Sequence, residues 1–156
     1  MKKLSIQKCK FKDSDYILEI FNESVSKGIS GTKTKVMPET HSKWLKRKLS
    51  SNKNFIFVAK INKIIIGYVR FDNIYRGNCE VSIALKHEFI NKGYGSNILR
   101  KGILKLTKIK KIKRIKSKVK KNNKNSILFF LKNNFIENNY KKKTKNNYKY
   151  FSLSLS

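Results

Sequence analysis

Apolar positions along this chain keep two different periods, and the places where one gives way to the other mark out its elements. Leu4, Ile6 and then Lys8 alternate with Ser5, Gln7 and Cys9, a first strand. Asp13-Ser14-Asp15 then offers caps for a helix carrying Ile17, Leu18, Phe21 and Val25. Residues 27–39 hold two glycines and the single proline and predict a loop, after which Pro38-Glu39-Thr40 opens a second helix through Trp44, Leu45 and Leu49. Residues 54–61 (NFIFVAKI), a turn at Asn62-Lys63 and residues 64–74 (IIIGYVRFDNI) predict a hairpin. Residues 77–85 (GNCEVSIAL) add a third antiparallel strand. A helix follows, burying Ile98, Leu99, Gly102, Ile103 and Leu106 and exposing Arg100, Lys101, Lys105 and Lys108. Arg114–Lys120 alternates as a strand. Residues 123–135 predict a helix covered on most sides, with Asn125 and Ser126 as caps and Asn133-Asn134 as its stop. The tail supplies two closing strands, and there is no internal repeat. The order of elements predicts an α+β domain.

The segment Lys92-Gly93-Tyr94-Gly95-Ser96 stands between the third meander strand and the amphipathic helix. Two glycines two apart predict a backbone that turns with φ > 0 and approaches a ligand with no Cβ in the way. Successive N–H groups can then converge on an anion, with the helix dipole adding favourable charge. The segment lacks the Gly-Lys-Ser/Thr ending of a nucleoside-triphosphate loop and the third glycine of a dinucleotide fingerprint. What remains is a pyrophosphate-bearing cofactor held by an α+β fold.

At 156 residues the chain suits one domain with one core. Its formal net charge of +29, from 38 Lys+Arg against 9 Asp+Glu, points to anionic partners. Only five of the basic residues are Arg, and Asn and Ile abound against two Ala, a skew that makes Lys partly a default surface residue. Nucleic-acid binding is the rival class, motivated by the Lys/Arg density of residues 108–121. That stretch alternates with Ile109, Ile112, Ile115 and Val119 as a folded strand does, and has no interleaved aromatics for base stacking. Cys9 and Cys79 have neither metal-ligand nor redox-pair spacing, and with only His41 and His87 beside them no structural zinc site is assembled. No apolar segment approaches the ~20 residues of a membrane span, and the start of the chain lacks a signal-peptide core. A soluble, cytoplasmic protein is expected, without a metal.

The element order, together with CEVSIAL–KGYGSNIL and VKKNNKNSILFFLKNNF, resembles the GNAT acetyltransferase superfamily over nearly the whole chain. The first segment is similar to that family's strand-four-to-helix-three motif, the second to its N-x-x-S, aromatic, Gly-Phe helix. The usual Arg or Gln three residues before the first glycine is Ile90 here, and the usual Gly of the Gly-Phe pair is Asn134. Where some relatives carry a tyrosine acid, this chain has Phe130, which cannot donate a proton. The helix HSKWLKRKL (41–49), with the strands GYVRFD and EVSIAL, is similar to acetyltransferases of sugar-nucleotide amines in nonulosonic (pseudaminic and legionaminic) acid synthesis. Ribosomal-protein N-terminal acetyltransferases share the same core motifs.

The resemblance implies a GNAT fold, a mostly antiparallel mixed sheet flanked by about four helices, and direct transfer of acetyl from acetyl-CoA to a primary amine. It implies that the backbones of Ile83, Ala84 and Leu85 bond the pantetheine arm, that Lys92, Gly93, Tyr94, Gly95 and Ser96 hold the pyrophosphate, and that Asn125 joins the cofactor site. Glu80 occupies the strand where some members place a general base, able to relay a proton through water; alternatively it is a solvent-facing residue paired with a Lys. Tyr140 is the candidate acid for the departing thiolate, or else packs a sheet edge. His41 and Trp44 are three apart on one helix face, after the loop that lines the acceptor cleft in this fold, and are candidates for contacting an acceptor ring; core packing is the other role open to Trp44. Cys79, inside an apolar strand, is read as inert packing. The partners implied are acetyl-CoA and a small-molecule amine, a sugar nucleotide foremost, with no specific nucleic acid and no membrane; a homodimer is left open.

Overall fold

The computed structural model describes residues 2–29, 32–139 and 147–156. Seven strands form one sheet in the order β1-β2-β3-β4-β5-β7-β6. They are β1 (Leu4–Lys8), β2 (Phe55–Ile61), β3 (Ile64–Tyr75), β4 (Asn78–Leu85), β5 (Arg114–Lys120), β6 (Ile136–Asn138) and β7 (Tyr148–Ser154). The helices are α1 (Ser14–Ser26), α2 (Pro38–Ser50), α3 (Tyr94–Ile109) and α4 (Lys124–Lys132). The β2–β3 hairpin turns on Asn62 and Lys63, both left-handed at φ 49 and 69, the primed-turn geometry that matches strand twist.

Period-two alternation sends side chains to two separate cores. Val69 and Phe71 of β3, with Cys79 and Val81 of β4, pack under Ile98, Leu99 and Leu106 of α3 and Phe130 of α4. On the other face, Ile56, Val58 and Tyr68 pack against Ile17 and Ile20 of α1 and Leu45 of α2. Asp72 belongs to this second face too, since Lys48 of α2 reaches it at 3.0 Å. The β2–β3 register passes from Lys60↔Ile65 to Ala59↔Gly67, which leaves Ile66 as the extra residue of a bulge.

The feature that matters for function is where the sheet fails to close. β4 and β5 pair in parallel over three positions only, Asn78↔Arg114, Cys79↔Ile115 and Glu80↔Lys116. Beyond Glu80, β4 runs on to Leu85 bonded to β3, and beyond Lys116, β5 runs on to Lys120 bonded to β7. The facing edges, Val81–Leu85 and Ser117–Lys120, have parted.

Three local expectations are corrected. α3 begins at Tyr94, so the second half of the glycine segment is its first turn rather than loop. Only Gly93 there has positive φ, at 84, joined by Asn91 at φ 60. Gly95 is a helical residue whose hydrogen is demanded by packing: an added Cβ would stand 3.0 Å from Phe129 Cε2 and 3.3 Å from Leu85 Cδ1. The cap of α4 is Asn123, whose side chain accepts from the Ser126 N–H at 3.1 Å, and not Asn125. Asn134 does take the left-handed conformation past that helix, at φ 66.

Candidate active site

The parted strands open a cleft of about 690 Å³ that runs through the sheet between the two helix layers. On the α3/α4 side it is lined by Gly93, Gly95 and Ser96 with Asn123, Asn125, Ser126 and Phe129. On the α1/α2 side its walls include Phe21, Ser24, Thr32, Tyr68 and Arg70. The β4 edge contributes Val81 through Leu85, and the β5 edge Ser117 through Lys120.

The N-terminus of α3 is built to receive an anion. Gly93 in the left-handed conformation turns the chain into the helix, no side chain among the described residues caps the first turn, and no acidic residue stands in it. The free N–H groups of a 16-residue helix are therefore left for something else to satisfy. The site is braced from α4, where Asn133 Nδ2 donates to Ser96 Oγ at 3.0 Å and to the Phe129 carbonyl at 2.8 Å. In the β5 wall, Ser117 Oγ is buried without a hydrogen-bond partner among the described residues.

The charge of the cleft has one sign. Arg70, Lys118, Lys120 and Lys132 line it, while none of the chain's nine carboxylate side chains does. Arg70 is fixed in place. Its Nε donates to Asp72 Oδ2 at 2.6 Å, its Nη2 approaches Ser82 Oγ at 3.4 Å, and its guanidinium lies 5.2 Å from the Trp44 ring centroid. Tyr68 is two residues before Arg70 on the same strand face, opposite Ala84 of β4. Burial pushes its phenol pKa up, with the Arg70 charge opposing and Asp72 adding, so it stays protonated in the ordinary range.

Of the residues expected in the site, Ile83, Ala84, Leu85, Gly93, Gly95, Ser96 and Asn125 converge on the cleft. Lys92 does not line it and points to solvent. Tyr94 is core, its ring edge-on to Phe89 at 5.7 Å, because the helix begins at this residue and turns it inward. Glu80 lies at the closed end of the split and lines a separate hollow of about 250 Å³ with Asn73, Tyr75, Asn78, Cys79 and Lys116. His41 is buried, 5 % exposed, with Nε2 unpartnered among the described residues and its ring 5.4 Å from that of Trp44. Desolvation lowers its pKa, against a backbone hydrogen bond with Ser14 and the Asp15 carboxylate. Neither His41 nor Trp44 lines the cleft; one face of Trp44 is occupied by Arg70. Tyr140 lies outside the described residues. Burial pushes both Cys9 and Cys79 up to about 12, with Asp13 adding to the first and Asp72 and Glu80 to the second, as befits inert thiols. Sequence reasoning missed Tyr68, Arg70, Ser82, Lys118 and Tyr148 as lining residues. The signal for the first two was polar residues at same-face positions of an otherwise apolar strand.

A sheet split between strands four and five, with a helix N-terminus beside the split, makes an anion-receiving cleft between two helix layers. The family model described as "Acetyltransferase (GNAT) family" matches residues 16–135, and the chain belongs to that family. It is an acetyl-CoA-dependent N-acetyltransferase of GNAT type.

Solved structures of the same fold include yncA from Salmonella typhimurium with its cofactor acetyl-CoA, 17% identical, covering 99% of this chain and 95% of that one at TM-score 0.82. Ribosomal-protein-alanine N-acetyltransferase from Brucella melitensis is 18% identical, covering 97% and 99%, at 0.82. SpeG spermidine N-acetyltransferase from Vibrio cholerae is 15% identical, covering 97% and 93%, at 0.81. No curated protein matches the sequence. Among the described residues, no helix is long and apolar enough to cross a membrane, and no group of three or more His, Cys, Asp or Glu could hold a metal.

Proposed function

We propose that this enzyme acetylates the primary amine of an anionic small molecule, a nucleotide-activated amino sugar. The observation that carries the reading is the charge of the cleft: Arg70, Lys118 and Lys120 face the space between the helix layers, and no carboxylate lines it. A polycationic amine needs carboxylates to replace its lost hydration, and this cleft offers none. An acceptor carrying a diphosphate finds there the counter-charge it needs.

The co-substrate supplies the acetyl group as a thioester, its pyrophosphate on the N–H groups of Gly93 to Ser96 and its arm along Ile83–Leu85. The side chains handle the amine and the protons. An ammonium entering beside Arg70 and Lys118 is disfavoured by like charge, so its pKa falls and the neutral nucleophile is populated without a carboxylate in contact. The amine nitrogen bonds to the acetyl carbon, the carbon–sulfur bond breaks, and the amine proton must leave. Glu80, on the strand face of Ser82 but outside the cleft lining, takes part in that proton transfer only through water. Phe130 lines the cleft and cannot protonate the thiolate. Tyr140 carries that role in this reading, and Tyr68 and Tyr148 are the phenols that line the cleft.

An acetyl-CoA consumption screen tests the reading with a 4-amino sugar nucleotide, a ribosomal N-terminal peptide and spermidine. The sugar nucleotide is expected to give the highest kcat/KM. A higher value with the peptide or with spermidine refutes the acceptor assignment and leaves the acetyltransferase standing.

A further inference from the structure

We infer that Arg70 is the residue that selects the acceptor, by binding a phosphate or carboxylate that the acceptor carries beside its amine; this rests on the reading above that the cleft takes an anionic amine. Arg70 sits on β3 opposite Ser82, and its same-face neighbour Tyr68 sits opposite Ala84, so both stand one strand in from the open edge of β4 and line the cleft from its sheet face. Its surroundings on the α2 side, Trp44 and Lys48, belong to the helix layer opposite α3 and its anion-binding first turn.

A guanidinium has five N–H donors. Nε is spent on Asp72 at 2.6 Å and one Nη2 hydrogen is directed at Ser82 at 3.4 Å. Among the described residues Nη1 has no hydrogen-bond partner, and the side chain is 23 % exposed where it lines the cleft. The Asp72 carboxylate is itself shared, its other oxygen taking Lys48 Nζ at 3.0 Å, so the Lys48–Asp72–Arg70 group carries a net positive charge. The guanidinium carbon lies over the Trp44 ring, 5.2 Å from its centroid, in a cation–π contact. A planar donor fork held on three sides and open on the fourth is preorganised for a two-oxygen anion, and Lys at this position would present only a mobile point charge. With Lys118 and Lys120 on the facing β5 edge, and no carboxylate lining the cleft, nothing there competes for the fork.

The test uses two matched pairs of acceptors, so that phosphate and carboxylate are told apart. One pair is a nucleoside-diphosphate 4-amino sugar and the same amino sugar without its nucleoside diphosphate; the other is an amino acid and its carboxamide. Wild-type enzyme is expected to favour the anionic member of one pair by about 10- to 100-fold in kcat/KM, the value of charge-assisted hydrogen bonds, and that pair names the anion. Arg70→Gln should erase the preference, raising KM for the anionic member far more than for its uncharged partner, with acetyl-CoA affinity by calorimetry unchanged. Arg70→Lys should restore part of it. A preference that survives in Arg70→Gln overturns the inference and leaves the anionic-amine reading standing. Equal turnover of both members of both pairs by the wild type overturns the inference without need of any variant. Faster turnover of spermidine than of every anionic probe refutes the underlying reading itself.

Discussion

Replacing Gly67 with alanine should damage co-substrate binding from a position outside the cleft. Gly67 faces Leu85 across the β3–β4 ladder, and a Cβ there would stand 2.6 Å from the Ala84 carbonyl oxygen, 3.1 Å from Leu85 Cδ2 and 3.3 Å from Leu85 Cα. Non-bonded heavy atoms rest at roughly 3.5 Å, so the carbonyl must retreat by roughly 0.9 Å. Because it is backbone, no rotamer change absorbs the shift. Overpacking of this kind costs about 1–3 kcal/mol, offset by about 0.5–1 kcal/mol from the reduced freedom of alanine in the unfolded chain. The net loss of up to about 2.5 kcal/mol lowers Tm by up to about 10 °C in a domain of this size. The matched control is Gly102→Ala in α3, whose Cβ would also come within 2.6 Å of a neighbour, but of Val69 Cγ1 in the core and away from the cleft. Both variants should lose stability in calorimetric melts; only Gly67→Ala should also lose acetyl-CoA affinity by titration calorimetry, by more than tenfold. A Gly67→Ala enzyme that binds acetyl-CoA as tightly as Gly102→Ala does would refute the claim that the β4 edge holds the arm.

Gly93→Ala forces a Cβ into the left-handed region at φ 84. The cost of about 1–2 kcal/mol should weaken both acetyl-CoA and adenosine 3′,5′-bisphosphate by roughly 5- to 30-fold in calorimetry. Tyr140→Phe is expected to slow turnover more than Tyr68→Phe with acetyl-CoA affinity intact in both; the reverse order moves the thiolate-protonating role to Tyr68. Glu80→Gln should lower kcat/KM by less than about tenfold if, as proposed, the carboxylate acts only through water, and a loss of 10²-fold or more would mean that it contacts the amine directly. His41 has a pKa depressed below the ordinary 6.5 by burial, so the unfolded chain binds the extra proton first. Its contribution to stability is complete above pH 6.5 and is lost as pH falls below that value, and His41→Gln should flatten the acid side of the Tm-versus-pH curve.

Alternation made the meander legible, because Val69 and Phe71 had to share one face and Tyr68, Arg70 and Asp72 the other whatever the tertiary structure. The turn into α3 was legible from Gly93, for only a residue without Cβ holds φ 84 at little cost. Gly95 was read for the wrong reason, since its hydrogen answers to Phe129, a residue 34 positions away whose approach no local pattern encodes. Helical spacing placed His41 and Trp44 together, yet it could not say that this face turns toward α1 and β3 instead of the cleft. Glu80 shares its strand face with Ser82, but the pairing with Lys116 that keeps it at the closed end depends on where β4 and β5 part, and only the register shows that. The role of Asn123 as cap was hidden by the five other Asn and Lys residues in the unbroken run 120–125.

The three-position seam between β4 and β5 makes the molecule two half-sheets, β1–β4 and β5–β7, that share very little ladder. Edges with unspent N–H and C=O groups are sites of strand addition. The pantetheine arm carries two amides, and in the binding mode proposed above it lies between these edges as a short missing strand, so that occupancy is expected to raise the stability of the whole sheet as well as fill a site. The acetyl group adds nothing to such a ladder. Coenzyme A released of its acetyl group keeps every amide, so the proposed binding mode predicts product inhibition at concentrations close to those at which the donor binds, measurable as competition against acetyl-CoA.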